Sequence, residues 1–325
     1  MSEYTIIKFK NMTPIHIGTG KENYYSSESD LQSDTLSSAL AAIRAQMGQC
    51  EDIDKFLSSF RLSSAFPFYL NHYFFPKITG KINIKVKGLE ENEYRKKLKK
   101  LKFIELGLWK KIIRGETILV EEKHINGEFL IQESFSETKI IHSQINQRVT
   151  IPRDNSHDTE PFFFDWKYTH QDAGLFCMTD AKGDLLNEIV NLFNLLGLTG
   201  LGTDKSIGGG KFDVETENII IENSLNATHS MLLSLYIPTE EELQALDLNN
   251  SKFELLLRGG YIAGSQEEKF RHLRKKSIYM FNVGSVFPGN KALNGKVVNL
   301  QPQWNEKSMH PVYRSGKPLY ISVKD

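Results

Sequence analysis

Five glycines and two lysines fall within the thirteen residues Gly200–Phe212 (GLGTDKSIGGGKF), a composition suited to holding an anion. Glycine lets backbone N–H groups turn toward a phosphate and lets a ligand approach the main chain closely. Gly202, Lys205, Ser206, Gly208, Gly209, Gly210 and Lys211 are the candidate contacts, the ammonium and hydroxyl groups adding donors. A nucleotide P-loop needs G-x-x-x-x-G-K-[ST] after a strand and before a helix. Here the order is helix, loop, strand, and neither that spacing nor G-x-G-x-x-G occurs. ATP and NAD are therefore not expected, nor is any other cofactor. The plainer alternative is a loop that only caps the preceding helix at Gly197.

Other residues could also do chemistry. His16, in PIHIG at 14–18, could serve general acid–base catalysis, but that needs a positioned partner and the sequence identifies none. A structural or RNA-stacking role is expected for it, with Gly18 and Gly20 allowing a tight turn. Asp34 stands where helix caps stand, so capping is expected there rather than nuclease chemistry. Ser33 and Thr35 could cap as well and still offer hydroxyls to a phosphate at the helix N-terminus. Arg148 and Arg153 flank RVTIPR and suit phosphate forks or base stacking, against a plain surface hairpin. Arg258 and Tyr261 bracket two glycines, placing a cation and a stacking ring at one turn. Arg95–Lys102 carries six cations in eight residues, either a solvated helix face or a strip that neutralises phosphates. Arg271, Arg274, Lys275 and Lys276 form a further local basic patch. Cys50 and Cys177 have no CxxC spacing and no His cluster, so neither a disulfide framework nor a metal site is expected.

Positioning these groups requires strands and helices in mixed order. Tyr4–Lys10 reads as a strand. Leu36, Leu40, Ile43 and Met47 repeat on one helical face that Gly48 ends. The runs 62–70 and 74–78 are apolar but hold Pro67 and Pro76, so they read as edge strands or extended loop. Residues 81–150 alternate short strands with one cationic helix, and the turn-rich stretch 148–158 suggests a boundary near 170. Beyond it come a strand at 174–179, an apolar-striped helix at 184–196, the glycine loop, and strands at 211–214, 230–237, 253–257 and 276–282. Thr239 with Glu242 forms a capping box between the strands at 230–237 and 253–257. The expectation is an α+β chain of two ferredoxin-like (RRM-like) domains with inserted loops and hairpins, residues 1–170 and 171–325. No residue-level repeat supports that duplication.

The 325 residues suit two domains, and 40% hydrophobic with 25% charged residues reads as globular. Forty basic and forty acidic residues cancel, which disfavours a free-standing nucleic-acid binder but not a subunit that grips RNA locally. No segment has the apolar length of a membrane span or signal sequence, so a soluble cytoplasmic protein is expected.

Helix, glycine-rich loop, then strand resembles the RAMP superfamily of CRISPR-associated proteins. PIHIG at 14–18 with SDTLSSAL at 33–40, SSAFPFY at 63–69, FFPK at 74–77, KKLKFIELGLW at 99–109 and QRVTIPRD at 147–154 resemble the fourth subunit of the type III-A Csm effector complex. So do LLRGGYI at 256–262, RKKSIYMFNVGSVF at 274–287 and HPVYRSGKPL at 310–319. The resemblance implies a non-catalytic, crRNA-binding subunit of a hetero-oligomeric antiviral assembly. It would cap the 5′ handle of the guide RNA, between the large polymerase-like subunit and a backbone RAMP subunit. A metal-independent RAMP endoribonuclease that processes repeat RNA through His16 is the alternative. Asp204 departs from the neutral or basic residues expected in such a loop.

Overall fold

A computed structural model describes residues 2–18, 27–28, 30–132, 139–151, 159–222, 227–262, 265, 267–289, 292–302 and 309–324. Its centre is an eight-stranded sheet on which mixed α and β elements pack. Ser2–Lys10 lies inside that sheet, antiparallel to Ala173–Thr179 on one side and to Asp213–Ile221 on the other. Phe66–Tyr69 follows next to Ala173–Thr179, then His72–Pro76 and the short strands Phe103–Glu105, Phe129–Leu130 and Ile125–Asn126.

Alternation along Ser2–Lys10 supplies both cores. Ile7 and Phe9 point to the face covered by the helices Ser33–Gln46 and Gly183–Thr199, through Leu36, Leu40, Ile43, Ile189, Leu192, Phe193 and Leu196. Tyr4 and Ile6 point to the opposite face, buried under the 82–130 insertion and strands from the C-terminal part. Period 3.6 in the helices and period 2 in the strand therefore meet in one layer.

Several sequence expectations change. The boundary at 170 would cut this sheet, since the strands on both sides of Ser2–Lys10 lie after it. The turn-rich stretch that suggested it connects the long hairpin Ile141–Thr150/Glu160–Thr169. Phe66–Tyr69 and His72–Pro76 are not edge strands. Pro67 is tolerated because pairing with His72–Pro76 begins only at Phe68, leaving no ladder partner for a proline nitrogen on that side. The insertion holds a second helix, Leu106–Ile113, beside the cationic one at Glu91–Lys100.

In the C-terminal part, His229–Leu232 pairs with Tyr320–Val323 on one side and Val286–Pro288 on the other. Tyr236 bridges Phe281, extending that pairing, and Leu255–Arg258 lies outermost against Ile278–Phe281. The Thr239 capping box forms as expected, with Glu242 N donating to Thr239 Oγ1 (3.2 Å) and Thr239 N to Glu242 Oε2 (2.9 Å). No helix among the described residues is long and apolar enough to cross a membrane.

Candidate nucleic-acid interface

The glycine loop is a tied knot rather than a slack turn. The helix Gly183–Thr199 ends at Gly200, whose φ of +90° places it as C-cap, its N–H bonding the Leu196 carbonyl at 2.7 Å. The expected cap, Gly197, is inside the helix. A Cβ there would collide with the Phe212 carbonyl, so this glycine lets the outgoing chain cross the helix closely. Leu201 N–H then bonds Gly210 O at 2.9 Å and closes the loop's neck.

Segment 13–18 threads this neck. Gly210 N–H donates to Pro14 O (2.9 Å), Thr203 N–H to His16 O (3.0 Å), Lys211 N–H to Thr13 Oγ1 (2.7 Å) and Thr13 Oγ1–H to Gly208 O (2.7 Å). On its other side Ile15 exchanges backbone bonds with Lys167 at 3.0 and 2.9 Å, joining the same segment to the long hairpin. The five loop glycines, PIHIG and the hairpin thus form one unit, a convergence of segments nearly 200 residues apart.

Arg148 explains Asp204. Its guanidinium pairs with the Asp204 carboxylate and lies over the Phe164 ring at 4.3 Å and the Trp166 ring at 5.4 Å. The acidic residue is therefore an anchor that ties the loop to the hairpin, and Arg148 is largely engaged in that anchor. Asp204 itself has φ +58° and starts the tight turn Lys205–Ile207. Lys205, Ser206, Ile207 and, past the neck, Lys211 remain exposed, as does Gly18, where a Cβ would meet open space. Ile207, 66% exposed, is a candidate that sequence reading missed. Its signal was an aliphatic residue amid glycines and polar groups.

His16 is fully buried. Its Nδ1 donates to the Asp165 carbonyl at 2.8 Å, which fixes the proton on that nitrogen, and its ring packs 4.5 Å from Phe164. It is a structural pin of the loop rather than a stacking or acid–base group at a surface. Asp165 Oδ2 accepts from Ser27 N (3.0 Å), and Glu28 N bonds Ile17 O (2.8 Å), so residues 27–28 run alongside.

The remaining candidates gather in a second cluster. Asp34 lies one residue inside the helix whose N-cap is Gln32, so it is not a cap. Its carboxylate is wholly buried between Arg258 and Arg314. Burial alone would raise its pKa, but the Arg314 and Arg258 charges prevail and hold it below the usual carboxylate range. Every donor of Arg258 is taken: Nε and Nη2 bond Asp34 (3.0 and 3.2 Å), Nη2 also bonds Thr35 Oγ1 (2.9 Å), and Nη1 bonds both Glu28 oxygens (3.1 and 2.9 Å). Arg258 and Thr35 therefore have no donor or acceptor pair aimed at a ligand. Ser33 is likewise committed, its N–H to Ser64 Oγ (3.0 Å) and its Oγ accepting from Leu235 N (2.9 Å). Tyr261 is half-buried beneath Arg274, which sits 5.0 Å from its ring. Arg153 and Gly20 lie outside the described residues. Arg314, 280 residues from Asp34, gave no local signal.

Burial, joined by the charge of Arg314 and Arg258 and opposed by Asp34, brings Lys275 from 10.5 down to about 8. A lowered folded-state pKa on a base means the unfolded chain holds more protons between 8 and 10.5, so stability rises with pH across that window. Below it the cost of the buried charge is complete. Lys275→Met should raise the melting temperature at pH 7, and the gain should shrink as pH approaches 10.5. A pH-independent gain would assign the effect to packing alone.

No group of three or more metal-capable side chains gathers among the described residues. RNA-recognition sheets commonly stack bases on an open face. Here that face is buried, so the sheet itself offers no stacking platform.

Residues 225–323 match the family model of the CRISPR Csm4 C-terminal domain. Curated relatives called CRISPR system Cms protein Csm4 are 27% identical in Streptococcus thermophilus, over 98% of each chain, and 24% identical in Mycobacterium tuberculosis, over 94% of each. The fold is shared with a chain in the crystal structure of the Csm3–Csm4 subcomplex in the type III-A CRISPR-Cas interference complex (TM-score 0.64, 18% identity, 99% of this chain and 100% of that one). It is also shared with a chain in the Csm1–Csm4 cassette in complex with cA4 (TM-score 0.61, 17% identity, 99% and 98%). A family match over the C-terminal third, relatives aligned along nearly the whole length and a common fold agree in likening this chain to Csm4 proteins.

Proposed function

We propose that this protein is the non-catalytic subunit of a type III-A CRISPR effector complex that holds the 5′ handle of the guide RNA. It joins the large polymerase-like subunit to the backbone RAMP subunit in antiviral defence. The observation that carries this reading is the locked loop surface. Its backbone is fixed by hydrogen bonds to the 13–16 segment and across its own neck and by the Arg148–Asp204 pair, while Lys205, Ser206, Ile207, Lys211 and Gly18 are each exposed. Two ammonium groups beside a rigid main chain suit phosphates, and an exposed aliphatic side chain can pack on an unstacked base. Gly202, Gly208, Gly209 and Gly210 shape that surface, and Arg148 supports it. The buried His16 supports the non-catalytic reading over a His16 endoribonuclease.

The unit boundary is better drawn between 222 and 227 than at 170. In the first unit a strand–helix–strand–strand–helix–strand path yields the order fourth, first, third, second, as a ferredoxin-like fold requires. The second unit fits the same order through Tyr320–Val323, His229–Leu232, the 278–288 segment and Leu255–Arg258. There the hairpin Val297–Asn299/Tyr313–Ser315 replaces the second helix.

Lys205→Glu with Lys211→Glu in the reconstituted complex tests the RNA reading. Two reversals at phosphate contacts should cost about tenfold or more in guide-RNA retention, and the loss should deepen with salt. Full-length guide recovered at the wild-type level would remove the loop from the interface.

A further inference from the structure

The cationic helix Glu91–Lys100 is absorbed by neither cluster above. It walls an open cleft of about 520 Å³ whose other wall is the 77–85 segment. Helical spacing sorts its charges. Glu91, Arg95 and Lys99, at i, i+4 and i+8, line the cleft, whereas Lys97 turns away to pair with Glu122. Lys81 and Lys85 reach in from the opposite wall, and Lys77 stands at the inner end. Lys81, Lys85, Arg95 and Lys99 are exposed, and none forms a side-chain ion pair among the described residues. Lys77 donates to Leu98 O at 3.3 Å and its pKa is lowered by burial, a cost that an anion in the cleft would relieve. Five cations thus face one carboxylate in a chain of zero net charge.

We propose that this cleft binds the phosphodiester backbone of single-stranded RNA, at a place separate from the glycine loop. Tyr94 and Ile84 beneath it belong to the core on one face of the large sheet, and Leu201 and Phe212 of the loop to the core on the other. A protein partner would need an apolar anchor. Tyr94 is buried and no large exposed hydrophobic side chain lines the cleft. What it offers is point charges along a groove, the way a single strand is followed without sequence readout. The adjoining cleft of about 330 Å³ shares Lys77 and Lys99 and adds Lys102, but Asp30 and Glu254 also line it, so the excess of positive charge falls from four to one there.

The test uses the assembled complex with its guide RNA and fluorescein-labelled polyuridylate as probe, read by anisotropy across a salt series. Lys81→Glu/Lys85→Glu/Lys99→Glu should weaken binding about tenfold. It should also flatten the log–log salt slope by roughly 2, at about 0.7 per phosphate contact on a single strand. The corresponding Lys→Arg triple should bind as wild type. Glu91→Gln should bind about twofold more tightly, a gain that misfolding cannot mimic. Guide retention should stay unchanged throughout, which separates this site from the handle surface. An unchanged affinity and slope in the Glu triple overturns the proposal. So does polyglutamate competing as well as unlabelled polyuridylate, which would give the cleft to an acidic protein.

Discussion

Asp34→Ala should destabilise the protein by about 3–5 kcal/mol, a fall in melting temperature on the order of 10 °C. The carboxylate is wholly buried and is the common partner of two arginines that are themselves buried. Removing it leaves two guanidinium charges in a poorly solvated site, and that penalty exceeds the worth of the pairs themselves. It also cuts a tie between the halves of the chain, since Arg258 and Arg314 come from the C-terminal part and Asp34 and Glu28 from the N-terminal one. A companion triple, Asp34→Leu with Arg258→Met and Arg314→Met, should recover most of the loss, because apolar side chains of similar volume replace buried ion groups at little cost. Urea titration of each variant checks both statements. A loss under 1 kcal/mol for Asp34→Ala would mean that water already reaches the arginines.

The same cluster marks where local pattern stops being informative. The stripe Leu36, Leu40, Ile43 is a property of neighbouring residues, and it does face the core. Ser-Asp-Thr before that stripe looks identical whether it caps a helix or feeds a buried ion network, because the deciding partners lie 224 and 280 positions away. Arg258 beside two glycines and Tyr261 read as a ligand turn for the same reason: charge and turn are local, satisfaction is not. The helix–loop–strand order around the glycine loop was legible, with the helix Gly183–Thr199 before it and the strand Asp213–Ile221 after it. What local pattern could not supply was the threading by Thr13–Gly18 or the role of Asp204, which looked anomalous until Arg148 came to rest against it. The boundary near 170 failed because a long hairpin inserted between paired strands has the turn signals of a linker.

The threading makes the loop glycines unequal, and this is where the second large effect is expected. Gly208 and Gly210 both have positive φ, at +91° and +66°. A side chain at Gly208 would meet nothing within 4 Å, so Gly208→Ala should cost about 1 kcal/mol of backbone strain and leave guide retention nearly intact. A Cβ at Gly210 would lie inside van der Waals contact with the Leu201 carbonyl, the residue whose N–H closes the neck. Alanine there must open the neck, giving up the Leu201–Gly210 and Gly210–Pro14 bonds together. Most of the core around the sheet and helices lies outside that neck, so the melting temperature should move by only a few degrees. Hydrogen exchange over 200–212 should accelerate, and the complex should lose guide RNA about as fully as the Lys205/Lys211 reversal does. The contrast between two glycine-to-alanine changes two positions apart separates a shaped binding surface from a flexible one. If Gly210→Ala retains RNA as well as Gly208→Ala does, the loop's rigid form has no part in binding, and its lysines alone must account for the contact.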